Sequence, residues 1–571
     1  MCAAAIREFE AFAEEESAAL GAILGANPFV GLDARQTIEM LGRLAGAALA
    51  NPDQLYAWLS SFAAETGKAL VGLSEVAPEP NDKRFTDPAW TENPLYKRMM
   101  QGYLAWRKAM NELVDIGGHA NGDWKTTSQE RFGVTLLTEA LAPTNLLPAN
   151  PAALKRAFET GGASLLNGLR NFIDDLVNNG GMPSQVDKRP FAVGRNLAVT
   201  PGAVVHRGEI FELLQYKPAG AQVHERALLL VPPEINKYYI MDLASKRSLT
   251  EYAVAHGIQF FTMSWRNPGP EHRDWSLEDY VNACKEATAI VADITGCPTL
   301  NLLGICAGGI TSSLLMGHLA ALRDRRINAA TLVVTMLDTS QPSMTGMFTT
   351  EETVEMAIAK SREKGVLDAA SMARTFAWLR PNDLVWNYWV NNYLMGNDPA
   401  PYDILYWNAD STNLPAKLHE GFLRLMLRNP LVEAGAIEIL DTPINLRDVN
   451  FDIYVLAGMT DHICAWRACH RAAQLFGGRT EFVLNSTGHV QSLVSPPGNF
   501  KSKYFVNSQL GKNADDWLAG ATEHKGSWWD NWLDWLEKRS GDMRPAPKQM
   551  GSTNYPVVEP APGMYVHQRP N

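Results

Sequence analysis

A short strand-like run, Thr299-Leu-Asn-Leu-Leu303, leads straight into Gly304-Ile-Cys-Ala-Gly-Gly309, and a helical stretch begins at Ile310. No other part of the chain limits the possible folds so tightly. The pattern is glycine, any residue, nucleophile, any residue, glycine, set between a strand and a helix. Such a turn holds its central residue in a strained backbone conformation, with the side chain presented at the end of the strand. Gly304 and Gly308 carry no side chains, so strand and helix can approach closely. The Cys306 thiol then stands at a helix N-terminus, where the dipole favours thiolate over thiol. The glycine pattern recurs by chance in buried cores. The strand before it and the helix after it single out Cys306 as a nucleophile.

The surrounding texture agrees. From about residue 190, short runs rich in Val, Ile and Leu alternate with helical segments, at 227–231, 259–263, 330–335, 451–456 and 481–484. Alternating strands and helices give a mostly parallel sheet covered on both faces, and with the elbow this is the α/β-hydrolase fold. Residues 1–190 read as a helical N-terminal domain; between Asn93 and Met110, for instance, apolar residues recur three and four apart. Residues 191–571 read as the catalytic domain. Within it, about 340–445 breaks the rhythm with Arg380-Pro-Asn-Asp-Leu-Val-Trp-Asn-Tyr-Trp and reads as a cap or lid insertion. Trp528, Trp529, Trp532 and Trp535 fall mostly on one helix face, which reads as core packing. The proline-rich last ~25 residues read as an extended wrap.

In this fold the triad runs nucleophile, acid, histidine along the chain. The run 451–456 leads to Asp461 and His462, and the run 481–484 leads to His489. Asp461 is therefore read as orienter and His489 as general base. His462 is too near Asp461 in sequence to face its carboxylate, and is read as lining the site or packing. His318 and His470 fall on helices and read as core or surface residues. An oxyanion hole needs two backbone N–H groups. Ala307 supplies one; the other comes from Val231-Pro-Pro-Glu-Ile-Asn-Lys237, where the prolines have none, leaving Glu234, Ile235 or Asn236. Thr335, Thr487 and Gln491 fall close enough to the triad to shape a pocket or merely to pack.

Charge and cysteine usage exclude other classes. With 51 basic and 62 acidic side chains the net charge is −11, against nucleic acid as a partner. The start of the chain turns acidic at Glu8, Glu10, Glu14, Glu15 and Glu16, so no secretory signal is expected. No run reaches the roughly 18 apolar residues of a membrane span, and a cytoplasmic protein is expected. Cys2, Cys284, Cys297, Cys464 and Cys469 read as small buried apolar residues. No cluster has metal-ligand spacing and no glycine-rich phosphate loop occurs, so no metal or resident cofactor is expected.

A cysteine at the elbow carries its own chemistry. A thiolate exchanging with a thioester gives an intermediate that is again a thioester and stays activated, so the acyl group can pass to an alcohol. The chain also resembles the polyhydroxyalkanoate synthases over nearly its whole length. The resemblance is carried by Phe85-Thr-Asp-Pro-Ala-Trp, Leu230-Val-Pro-Pro-Glu-Ile-Asn-Lys-Tyr-Tyr, Ser264-Trp-Arg-Asn-Pro, Gly304-Ile-Cys-Ala-Gly-Gly, Asp461-His462, Gly488-His489 and Gly526-Ser-Trp-Trp. Asn178-Asn-Gly-Gly-Met-Pro and Leu475-Phe-Gly-Gly are similar to the class II enzymes, which favour medium-chain monomers. The resemblance implies an acyltransferase that polymerises (R)-3-hydroxyacyl-coenzyme A with release of coenzyme A. It implies Cys306 as acyl acceptor, His489 as base and Asp461 in support. It implies a homodimer at polymer granules beside phasin proteins, with coenzyme A brought by the substrate. A thioesterase or polyester depolymerase of the same fold is the alternative; a serine would suit it better.

Overall fold

The computed structural model describes residues 34–80, 82–121 and 124–570. Cys2 and the acidic run from Glu8 to Glu16 lie outside them. The contacts divide the chain into two units, Met1–Asp187 with Ser371–Pro401, and Lys188–Ala370 with Tyr402–Asn571.

The first unit is helical. Its described helices include α1 (Ala34–Leu49), α2 (Pro52–Val71), α3 (Pro94–Asn121), α4 (Trp124–Ala140) and α5 (Ala163–Asn178). Met40 and Leu44 of α1, Val114 of α3 and Val134 of α4 form one buried cluster; Phe85, Trp90, Met100 and Tyr103 form another. Residues 371–401 fall inside the stretch expected as a cap, yet they group with these helices. The reason is aromatic packing. Tyr393 lies 5.3 Å from the Phe172 ring of α5, edge to face, and its hydroxyl donates to Asp175 Oδ2 at 2.7 Å. The expected 340–445 insertion is thus divided between the two units.

The second unit is built on an 11-stranded sheet. In chain order its strands are β1 (Gly202–Arg207), β2 (Phe211–Tyr216), β3 (Leu228–Val231), β4 (Phe260–Trp265), β5 (Leu300–Ile305), β6 (Ile327–Val333), β7 (Asp452–Gly458), β8 (Thr480–Asn485), β9 (Lys503–Val506), β10 (Thr522–Lys525) and β11 (Glu559–Pro560). Their spatial order is β10-β9-β8-β7-β6-β5-β3-β4-β2-β1-β11. The centre, β8-β7-β6-β5-β3-β4, is parallel, and the strands on either side are antiparallel. Every residue of β3, β4 and β5 is buried, as strands covered on both faces require. This is the α/β-hydrolase architecture; the N-terminal unit is helical.

Four helices matter to the site: α6 (Leu277–Thr295), α7 (Ala307–Ala321), α8 (Trp466–Ala473) and α9 (Trp528–Glu537). α7 is apolar around nearly its whole circumference and is buried from Ala307 to Leu319 apart from Ile310, so it occupies the centre. In α9 Trp528, Trp529 and Trp532 are fully buried, and Trp535 nearly so. Trp532 Nε1 donates to Thr331 Oγ1 of β6 at 3.0 Å, and Trp535 meets the Tyr454 ring of β7 at 5.4 Å. The tryptophans are core. The tail wraps back onto this unit. β11 pairs with β1, and the buried Lys237 ammonium donates to Asp410 Oδ1, Val566 C=O and Gln568 C=O at 2.8, 2.6 and 2.9 Å. Among the described residues no helix is long and apolar enough to cross a membrane.

Candidate active site

The parallel strands all deliver their C-terminal ends to one edge, and the loops beyond β3, β5, β7 and β8 meet there. β5 ends at Ile305, and Cys306 turns the chain with φ +50° and ψ −118°. A non-glycine residue in that region costs on the order of 1–3 kcal/mol, and its surroundings must enforce it. Here the Cys306 N–H donates to Val333 C=O at 2.9 Å, and the Gly309 N–H returns to Cys306 C=O at 3.0 Å. A Cβ on Gly304 would stand 2.7 Å from Ser312 Oγ, and one on Gly308 would stand 2.5 Å from Val231 C=O. The elbow therefore closes only with glycine at both places.

Beyond β7 lies Asp461, and beyond β8 lies His489; both are buried. His489 Nδ1 donates to Asp461 Oδ2 at 2.6 Å. Asp461 Oδ1 accepts the N–H groups of Ile463 and Cys464 at 2.8 and 2.9 Å, so the carboxylate is held on both sides. With Nδ1 engaged, Nε2 is the nitrogen left open to a second group, and the Cys306 charge acts on the ring. Asp461 thus pairs with His489 and not with its neighbour His462, which is half-buried on the same turn.

The electrostatics follow. A hydrogen bond from Cys464 pulls the Cys306 thiol well below the usual range; burial opposes this, and the charge of His489 adds to it. Burial alone would lower His489, but the Asp461 carboxylate and the Cys306 thiolate outweigh it and push it up to about 10. Both shifts run in the direction that favours a thiolate beside an imidazolium.

Around the triad, Thr335 Oγ1 approaches Cys306 C=O at 3.5 Å and donates to Val333 C=O at 3.1 Å. Thr487 is tied to Asn485 and Ser492, at 2.9 and 3.0 Å. Gln491 is exposed. His318 is buried against Thr442 and Lys285, and His470 against Leu510 C=O and Gln474, so both are structural. In the loop after β3, Asn236 forms a bridge to Ser411.

Two residues at the site carried no signal of their own in the sequence. Cys464, read there as packing, lies beside Cys306. Glu234 is buried with Thr311 Oγ1 donating to its Oε1 at 2.6 Å, while its Oε2 has no hydrogen-bond partner. Burial, opposed by the Thr311 hydrogen bond and reinforced by the Cys306 charge, pushes Glu234 up to about 8, so it is protonated at neutral pH. Ligand-type atoms of Asp461, Cys464 and His489 lie within 4.8 Å of one another. This is the one such cluster among the described residues, and its Asp461 and His489 are already engaged with each other.

A family model for the poly-beta-hydroxybutyrate polymerase (PhaC) N-terminus matches residues 81–253, and a model for the alpha/beta hydrolase fold matches residues 240–496. The chain is 47% identical to poly(3-hydroxyalkanoate) polymerase 1 of Ectopseudomonas oleovorans, over 96% of this chain and 97% of that one. It is 45% identical to polymerase 2 of the same organism, over 95% and 96% of the two chains. With the polymerase subunit PhaC of Cupriavidus necator the identity is 38%, over 95% and 91%.

Proposed function

The chain belongs to the poly(3-hydroxyalkanoate) polymerases, and on that footing we propose that it extends a polyester from (R)-3-hydroxyacyl-coenzyme A through a thioester on Cys306. Its similarity to the two Ectopseudomonas oleovorans enzymes fits the class II type. One observation carries the assignment of residues: the buried His489–Asp461 pair beside the half-buried Cys306 on a strained elbow.

The Cys306 thiolate attacks the thioester carbonyl carbon. The C–S bond to coenzyme A breaks, and the departing thiolate takes the proton from His489 Nε2. A hydroxyl then gives its proton to His489 and attacks the Cys306 thioester. The second C–S bond breaks, an ester forms, and Cys306 returns as thiolate. Asp461 holds the imidazole ring in the orientation both transfers need. In each step the carbonyl oxygen becomes an oxyanion, and the N–H of Ala307 at the start of α7 stabilises it. The second donor comes from the loop after β3, where Glu234, Ile235 and Asn236 carry the N–H groups.

The family resemblance supports a homodimer working at granules, with phasins as neighbours. Leu166, Leu169, Ile173 and Val177 form a solvent-facing apolar stripe on α5 suited to a polyester surface.

The test is coenzyme A release from a series of (R)-3-hydroxyacyl-coenzyme A substrates, with the product analysed for polymer. Thiol release with polymer, abolished in Cys306→Ala, is expected. Free hydroxy acid as sole product would mean a thioesterase, and substantial turnover in Cys306→Ala would remove the nucleophile assignment.

A further inference from the structure

Two bonds hold the backbone of the loop that follows β3. Trp265 Nε1 of β4 donates to Pro232 C=O at 2.9 Å, and Thr412 Oγ1 donates to Glu234 C=O at 2.8 Å. A third contact is made by a side chain and reaches α7. Thr311 Oγ1 donates to Glu234 Oε1 at 2.6 Å, and both residues are buried. Thr311 stands one turn along α7 from Ala307, and its hydroxyl lies 3.4 Å from Ala307 C=O. Beside this contact the two backbones touch: a Cβ on Gly308 would stand 2.4 Å from Pro232 C=O. One side-chain bond therefore joins the loop to the turn of α7 that begins with the Ala307 N–H. The other carboxyl oxygen, Glu234 Oε2, has no hydrogen-bond partner. Burying a carboxyl with one oxygen unpaired costs free energy, and an apolar side chain of similar size would fill the place without that cost. What the carboxyl adds is a directional bond to Thr311.

We propose that Glu234 is a positioning residue: its carboxyl, through Thr311, ties the loop after β3 to α7 and sets the distance between the two sources of oxyanion N–H. This rests on the reading of Ala307 and that loop as the oxyanion hole for acyl transfer through Cys306. Glu234 touches no reacting atom and passes on no proton. Its work is geometric. An oxyanion hole stabilises charge only where both N–H groups aim at the position the oxygen takes in the transition state. The helix fixes the N–H of Ala307. The N–H groups of Glu234, Ile235 and Asn236 belong to the loop, and the bond from Thr311 to Glu234 spans the gap between loop and helix. An error of about 1 Å in such a placement can cost about 10²-fold in rate. The substrate carbonyl needs this alignment most when it carries the charge, so the loss should appear in kcat more than in KM.

The experiment uses the full chain at neutral pH and measures kcat and KM for coenzyme A release beside the rate of Cys306 alkylation by iodoacetamide, read by peptide mass. Alkylation displaces iodide at a saturated carbon and forms no oxyanion, so it reports the thiol without the hole. Glu234→Ala and Thr311→Val should each lower kcat about 10–100-fold, with KM and the alkylation rate within about twofold of the parent. The double variant should fall no further than the worse single one, because both remove the same bond. Glu234→Gln and Thr311→Ser keep an acceptor and a donor in place, and should recover most of kcat. An unchanged kcat in Glu234→Ala or Thr311→Val overturns the proposal, and so do losses that multiply in the double variant. Alkylation slowed as much as turnover, or Glu234→Gln as poor as Glu234→Ala, shows a packing role and overturns it too. If Glu234→Ala does not fold, Thr311→Val and Thr311→Ser are read by the same criteria. Failure of the underlying assignment looks different: Cys306→Ala would then turn over, whatever the variants at Glu234 and Thr311 do.

Discussion

Replacing Asp461 by asparagine changes one charge and almost no volume, and it tests the electrostatics of the relay directly. The amide oxygen can still accept the N–H groups of Ile463 and Cys464, which hold the present carboxylate at 2.8 and 2.9 Å, so the turn should survive. The amide nitrogen would then face His489 Nδ1, where Asp461 Oδ2 now accepts at 2.6 Å. A donor there forces Nδ1 to accept, which puts the ring proton on Nε2 and leaves that nitrogen unable to take a proton from a hydroxyl. The charge effect adds to this. Burial disfavours the imidazolium, and the first-ranking force against it is the Asp461 charge, so His489 should fall from about 10. Cys306 then loses its counter-ion and rises. General acid–base assistance is worth about 10²–10⁴-fold, so kcat for coenzyme A release should drop by about that factor, with KM changed little. At a slightly acid pH, iodoacetamide labelling of Cys306 should slow about tenfold or more, a second reading independent of turnover. A folded Asp461→Asn protein within about threefold of the parent kcat, with the labelling midpoint unmoved, would refute both the tautomer argument and the ion pair.

Two further outcomes follow from the same structure. Glu234 ionises near pH 8 and places a negative charge by Cys306, where it opposes the thiolate and the developing oxyanion. Activity should therefore decline above about pH 8 in the parent, and Glu234→Gln should carry it toward the His489 limit at about 10; superimposable pH–rate profiles would count against this. Trp532→Ala removes a fully buried ring and the hydrogen bond to Thr331 Oγ1, so the sheet unit should lose about 3–5 kcal/mol and its thermal midpoint should fall by several degrees, whereas an unchanged midpoint would show that α9 is dispensable.

The elbow and the triad order were legible because each rests on local pattern. The approach of strand to helix demands Gly304 and Gly308, and the fold places acid and histidine after successive late strands, at Asp461 and His489. The tryptophan face of α9 was legible from helical spacing. What the sequence hid depends on contacts distant along the chain. Nothing near Tyr393 indicates that it packs on Phe172 and Asp175, 221 and 218 residues earlier, and so the expected insertion at 340–445 had to be divided. Cys464 shows only an uninformative spacing to Cys469, and its position is set by Asp461 and its turn, whose role depends on strands distant along the chain. Glu234 reads in the sequence only as a source of an N–H; its side chain matters because Thr311 of α7, far along the chain, donates to it.

In the proposed cycle one histidine serves as acid in the first half and as base in the second. Two negative charges hold His489 up at about 10, those of Asp461 and of Cys306. Asp461 stays fastened by two N–H groups. Cys306 does not: acylation converts its thiolate to a neutral thioester. At that moment one of the supports of the imidazolium vanishes, while the burial that disfavours it remains. The departing coenzyme A thiolate can then carry the proton away, and His489 is left neutral as the hydroxyl arrives. When the ester forms and the Cys306 thiolate returns, its charge draws the proton back onto His489. The acyl group itself thus sets the protonation of the base, and neither half-reaction needs a second titrating residue. A serine at the elbow would give no such switch, because its resting hydroxyl is uncharged and acylation removes no charge from beside the ring.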